Sequence, residues 1–265
     1  MIKSLIPRYV AWYIIFLSFI EKNILLHPVE LLSKYIKMSK KKPQIHETGF
    51  ETVEHALTRT EQYIEENKKS LTIIALAIMV VVGGYLLYNR LILAPKESEA
   101  LSQIYRAELY FEQDSFLLAL EGDGDALGFI DIIDEYSITN TANLAHYYAG
   151  ISYLRLGEYE NAIEYLKQFD SNDKIVSVLA LGALGDAYTE LNDYEEAVSF
   201  FEKAANKNKN NLTSPIYLKK AGLTYEALDN YKKAIASYEK IKREFPSSLE
   251  ARDIDKYIEA AKIKL

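Results

Sequence analysis

The four histidines, at positions 27, 46, 55 and 146, are the side chains best suited to hold a metal or move a proton near neutral pH. Their spacing matches no metal site. Glu121-Gly-Asp-Gly-Asp125 gathers three carboxylates in five residues, as a calcium loop would. An EF-hand in that register needs later oxygen ligands and a closing Glu, and Ile132 stands at the closing position. The stretch therefore reads as a helix-breaking turn. The chain has no cysteine, which removes disulfides, thiolate zinc sites, iron–sulfur clusters and a cysteine nucleophile. It carries no glycine-rich phosphate loop, no nucleophile elbow and no HExxH. The remaining carboxylates follow helix surfaces. These residues point away from catalysis and metal or cofactor chemistry, and toward binding.

The elements that would present a binding surface divide at one apolar stretch. Leu71–Tyr88, LTIIALAIMVVVGGYLLY, has no charge. As a helix it spans most of a ~30 Å hydrocarbon core. Continuing to Leu93 adds reach, with Arg90 able to snorkel to the interface. We expect a transmembrane helix over 71–93, in contact with lipid, and Pro95 is expected to end it. Gly83-Gly84 allows another helix to approach, but without a full small-xxx-small pattern, so self-association stays open. Residues 1–95 carry 12 basic and 8 acidic groups, whereas 96–265 carry 19 basic and 30 acidic. So acidic a second region would repel phosphates, which argues against nucleic acid as a partner.

Residues 1–37 contain a short apolar run, Tyr9–Ile20, behind Lys3 and Arg8, with no small-residue cleavage site after it. Met38-Ser39-Lys40-Lys41-Lys42 reads as a fresh start, making 1–37 an upstream extension; if 9–26 also spans, the C-terminal region changes sides. Residues 38–70 form a charged arm. Within it Glu47–Asn67 is expected to be an amphipathic helix, with Phe50, Val53, Leu57 and Ile64 along one face.

Beyond 94 the chain repeats. Gly150, Gly185 and Gly222 each precede a Tyr by three residues, at Tyr153, Tyr188 and Tyr225. Nine residues after each Tyr comes Ala162, Ala197 or Ala234, and four further on Leu166, Phe201 or Tyr238. This resembles the tetratricopeptide repeat (TPR), a helix pair with a ~34-residue period. A small residue on the first helix lets it pack closely on the second, and the Tyr fills the angle between them. The expected units are 143–176, 178–211 and 215–248, within 142–250. A divergent helical pair over 94–141 leads them, and a capping helix over 251–265 closes them. The fold class is then all-α: a TPR-like helical solenoid, or α–α superhelix, on a single N-terminal transmembrane helix.

Stacked helix pairs present a concave groove lined by the first helix of each pair. The repeat positions nominate Tyr147, Ile151 and Leu154, then Asp186 and Thr189, then Lys219, Leu223 and Glu226. This mixture suits an extended or helical peptide. His146 is expected to pack.

From Phe50 onward the chain resembles the YfgM-type membrane-anchored repeat proteins, ancillary subunits of the bacterial Sec translocon. Tyr63–Leu71 entering one apolar helix, then Tyr85–Arg90, then the repeats, carry the resemblance. It implies a single pass through the bacterial inner membrane, a cytoplasmic N-terminus, and periplasmic repeats that meet translocon subunits, chaperones or secreted clients. A structural scaffold for an envelope complex, in cell division or outer-membrane biogenesis, is the alternative.

Overall fold

The computed structural model describes residues 51–265, with side chains from residue 63 onward. The expectations for 1–50, among them the start at Met38 and the run Tyr9–Ile20, lie outside the described residues. The chain divides into two units, Met1–Leu76 and Ala77–Leu265, and the division falls inside one helix, α1 (Glu51–Tyr88). Residues 51–70 and the apolar stretch therefore share a helix. Among the described residues one helix is long and apolar enough to cross a membrane, and its apolar window is wholly unburied. A core helix would bury at least one face.

Pro95 does not end this helix. One π-helical turn, Asn89–Leu93, leads directly into α2 (Ala94–Glu112), and the Ala94 N–H bonds to Asn89 O. The cause is local. Proline has no N–H to give and its ring crowds the preceding turn, so the wider turn before it absorbs the misfit. At the first positions of α2 the missing N–H costs nothing.

After α2 come α3 (Phe116–Glu121) and α4 (Phe129–Glu135), three helices in place of the expected pair. The break between α3 and α4 is the Gly122–Gly128 turn. Asp123 Oδ1 accepts from the Asp125 and Ala126 N–H groups, while its Oδ2 takes Arg106 and the Tyr110 hydroxyl. Those donors hold the Asp123 carboxyl far below the ordinary range, Tyr110 first among them. The acidic loop is thus a turn tied to α2.

Three helix pairs follow: α5 (Asn140–Leu156) with α6 (Tyr159–Gln168), α7 (Val176–Glu190) with α8 (Tyr194–Lys207), and α9 (Ser214–Ala227) with α10 (Tyr231–Glu244). A short 3-10 turn, Glu250–Arg252, precedes α11 (Ile254–Ile263). The local signals act as their chemistry dictates. Gly157 takes the left-handed conformation at φ 81° and closes α5, with the Glu158 N–H on Tyr153 O. Asp193 and Asn230 cap α8 and α10 through the N–H groups of Glu196 and Lys233.

Packing explains the repeat motif. A methyl on Gly150, Gly185 or Gly222 would collide with Leu166, Phe201 or Tyr238 respectively, so each glycine makes room for the large residue of its own second helix. Ala162, Ala197 and Ala234 are fully buried. The interior forms three clusters: around Phe129 and Ile132 in the leading unit, around Leu166 and Leu184, and around Phe201, Tyr238 and Ile258. Burying one such side chain is worth ~1.5–3 kcal/mol. α11 seats Ile254, Ile258 and Ala261 on α10 and leaves Asp255, Lys256, Glu259 and Lys262 in water.

Candidate functional site

The eight nominated residues do not share one environment. Tyr147, Ile151 and Leu154 on α5 are half-buried and pack on the second cluster, which includes Leu184 and Ala187 of the next pair. Tyr147 lies edge-on to Tyr148 and against Phe169, with ring centroids 5.6 and 5.4 Å apart, and burial pushes its phenol above the usual value. On α7, Thr189 turns its hydroxyl back onto Gly185 O at 2.8 Å. Asp186 is held by Lys220, whose Nζ lies 2.6 and 2.7 Å from the two carboxylate oxygens.

On α9 the surface opens. Leu223 is 45% exposed, and Ile216 lies beside it, also exposed. With Lys219, Lys220, Leu249 and Asp253 they line a shallow concavity where the third pair meets the segment before α11. Lys219, Lys220 and Asp253 in it are already matched, whereas Glu250, which also lines it, has no ion-pair partner among the described residues. Lys219 Nζ is 3.4 Å from Asp253 and lies 4.3 Å above the Tyr257 ring. Outside the concavity, Glu226 accepts the Tyr238 hydroxyl at 2.7 Å and meets Lys264 at 3.7 Å. What stays free is aliphatic surface and the Glu250 carboxylate, framed by ion pairs. Such a concavity favours an apolar or amphipathic segment over a highly charged one.

Beneath this surface Tyr217 fills the space that Gly182 leaves open, and its burial pushes the phenol up to about 12. Among the described residues no group of three or more His, Asp or Glu side chains could hold a metal ion. His146 is half-buried, its ring 6.0 Å from Tyr165 and its Nδ1 without a partner.

Family models of the tetratricopeptide repeat match residues 144–173, 180–213 and 220–248. Over these residues the helix pairs are TPR-like. Among solved structures, the chain is similar to one from Podosopora anserina, described as a kinesin light chain of nearly identical TPR-like repeats. That likeness covers 63% of this chain and 87% of that one, at 15% identity and a TM-score of 0.48. No curated protein matches the sequence. TPR folds are typically interaction scaffolds.

Repeat position alone missed Ile216, Lys220 and Leu249 as parts of the open surface. The signal for Lys220 is the 34-residue offset that pairs it with Asp186, and the same offset joins Lys219 to Asp253. Those lysines and aspartates bind repeat to repeat, which leaves them no longer free as ligand contacts.

Proposed function

We propose that this chain is a membrane-anchored module that holds an apolar or amphipathic segment of another protein against α9 and the turn before α11. The observation that carries it is the exposed Ile216–Leu223 surface, bounded by ion pairs that need no partner from outside. A peptide binding there gains by covering aliphatic surface beside the Glu250 carboxylate, which a basic side chain of the peptide would answer.

The helix over 71–93 serves as the anchor. The resemblance to YfgM-type proteins supports a place in the bacterial inner membrane, with the repeats in the periplasm near the translocon, taking secreted clients or periplasmic chaperones. Crosslinking in native membranes, followed by co-purification with the full chain, tests this. Recovery of translocon subunits, chaperones or emerging clients is the expected result. Their absence, with other envelope proteins in their place, contradicts it. Protease protection of the repeats in inverted vesicles checks the side of the membrane.

A further inference from the structure

Ile138, Ile175, Leu212 and Leu249 stand 37 residues apart in succession and are 46%, 54%, 67% and 68% exposed. Single exposed aliphatics are ordinary on a protein surface. These four occupy equivalent places, the turns that enter α5, α7, α9 and the segment leading to α11. Those turns lie on one edge of the solenoid, because the first helices of the pairs run the same way. Side-chain bonds stitch neighbouring turns together along it. Asn143 pairs with both the N–H and the carbonyl of Asp170, and Asn208 donates to Lys174 O.

The start of α2 belongs to the same edge. Its Glu97 carboxylate accepts from the Asn140 N–H at 2.7 Å and from the Thr141 N–H and hydroxyl at 3.0 and 2.6 Å. Phe111, further along α2, meets Tyr148 of α5 at 5.0 Å, so the two helices run in parallel. Glu97 is four residues past Leu93, about 6 Å of helix, and no loop intervenes. The headgroup layer outside the hydrocarbon is itself ~5–7 Å thick.

We infer that the edge carrying Ile138, Ile175 and Leu212 rests on the lipid surface from which α2 emerges, while Leu249 at its far end stays with the concavity on α9. This builds on reading 71–93 as a membrane span. Charge supports it. The connecting segments on this edge, 136–139, 169–175, 208–213 and 245–253, hold Asp170, Asp173, Glu250 and Asp253 against Lys174, Lys209 and Arg252, a balance of −1. The connections at the opposite ends of the helices, 113–115, 157–158, 191–193 and 228–230, hold Asp114, Glu158, Asp193 and Asp229 and no basic residue. An anionic bilayer repels the second set and tolerates the first, while aliphatic tips gain by entering the interface. Contact is closest at Ile138, beside the anchor, and weakens toward Leu212.

The absence of cysteine makes the test direct. Single substitutions Ile138→Cys, Ile175→Cys and Leu212→Cys receive an environment-sensitive fluorophore in the full chain. The chain is held in nanodiscs of phosphatidylethanolamine and phosphatidylglycerol. Glu158→Cys and Asp229→Cys report the opposite edge, and Val81→Cys reports the span. The expected result is a blue shift and quenching by headgroup nitroxide lipid at the three edge sites, mid-chain quenching at Val81, and neither effect at the controls. Edge sites that behave like the controls, with Val81 quenched, overturn the inference and leave the span intact. An unquenched Val81 overturns both. A blue shift that ignores the lipid nitroxide but follows protein concentration identifies a second copy as the cover and overturns lipid contact.

Discussion

The first and third repeats place the same helix positions in opposite roles. In the first, Tyr147, Ile151 and Leu154 meet Phe169 and the α7 interior and are half-buried. In the third, Lys219 and Leu223 line a shallow concavity before a single closing helix, Leu223 stays open, and Glu226 is engaged by Tyr238 and Lys264. A repeat position therefore names a side of the helix, and the neighbour decides whether that side is surface. Bulky side chains at the first repeat fill its concave face from within; smaller and charged ones at the third leave room.

The largest expected effect tests the seam between these ends. Phe201 is buried, is fitted against Gly185 and stacks at 6.4 Å on Tyr217 of the third repeat. Phe201→Ala should cost ~3–5 kcal/mol in chemical denaturation. A loss confined to one end, seen as two separate transitions, would break the picture of one continuous stack. Next comes the contrast itself. Ile151→Ala should cost about 1–2 kcal/mol, whereas Leu223→Ala should stay within ~0.5 kcal/mol and instead weaken partner capture. Equal stability losses at both sites would erase the distinction.

Much of this is legible in the sequence. The glycine–tyrosine–alanine spacing places the helix pairs, because each glycine answers a specific large residue sixteen positions later. The stretch 71–93 is legible as a candidate span from its near absence of charge. The groove is legible only as a side. Whether Tyr147 packs or binds depends on Phe169 and the next repeat, contacts that no single repeat encodes. Asp186 and Lys219 read as free ligands because their partners, Lys220 and Asp253, lie in the following unit. Pro95 reads as a stop because proline usually is one; the π turn that carries the helix past it has no sequence signature.

A smaller effect concerns the ion pairs of the open end. Asp186 and Lys220 are each more than a third exposed, so a double-mutant cycle with Asp186→Asn and Lys220→Met should give a coupling of ~0.2–1 kcal/mol, shrinking with salt. The smallest is a pH effect at the packed end. Burial holds the His146 imidazole below its usual value, so the unfolded chain takes up that proton first. Stability should fall as pH drops below about 6.5 and level off beneath the lower folded-state value. His146→Gln should flatten that slope in denaturation curves measured across the range.

The most direct test of the account is site-specific photo-crosslinking in native membranes, with the photoreactive residue at Leu223 in one chain and at Tyr147 in another. The account predicts discrete protein adducts from Leu223 and few or none from Tyr147, whose ring is engaged by Tyr148 and Phe169. Adducts of equal strength at both sites, or adducts at Tyr147 alone, would contradict it.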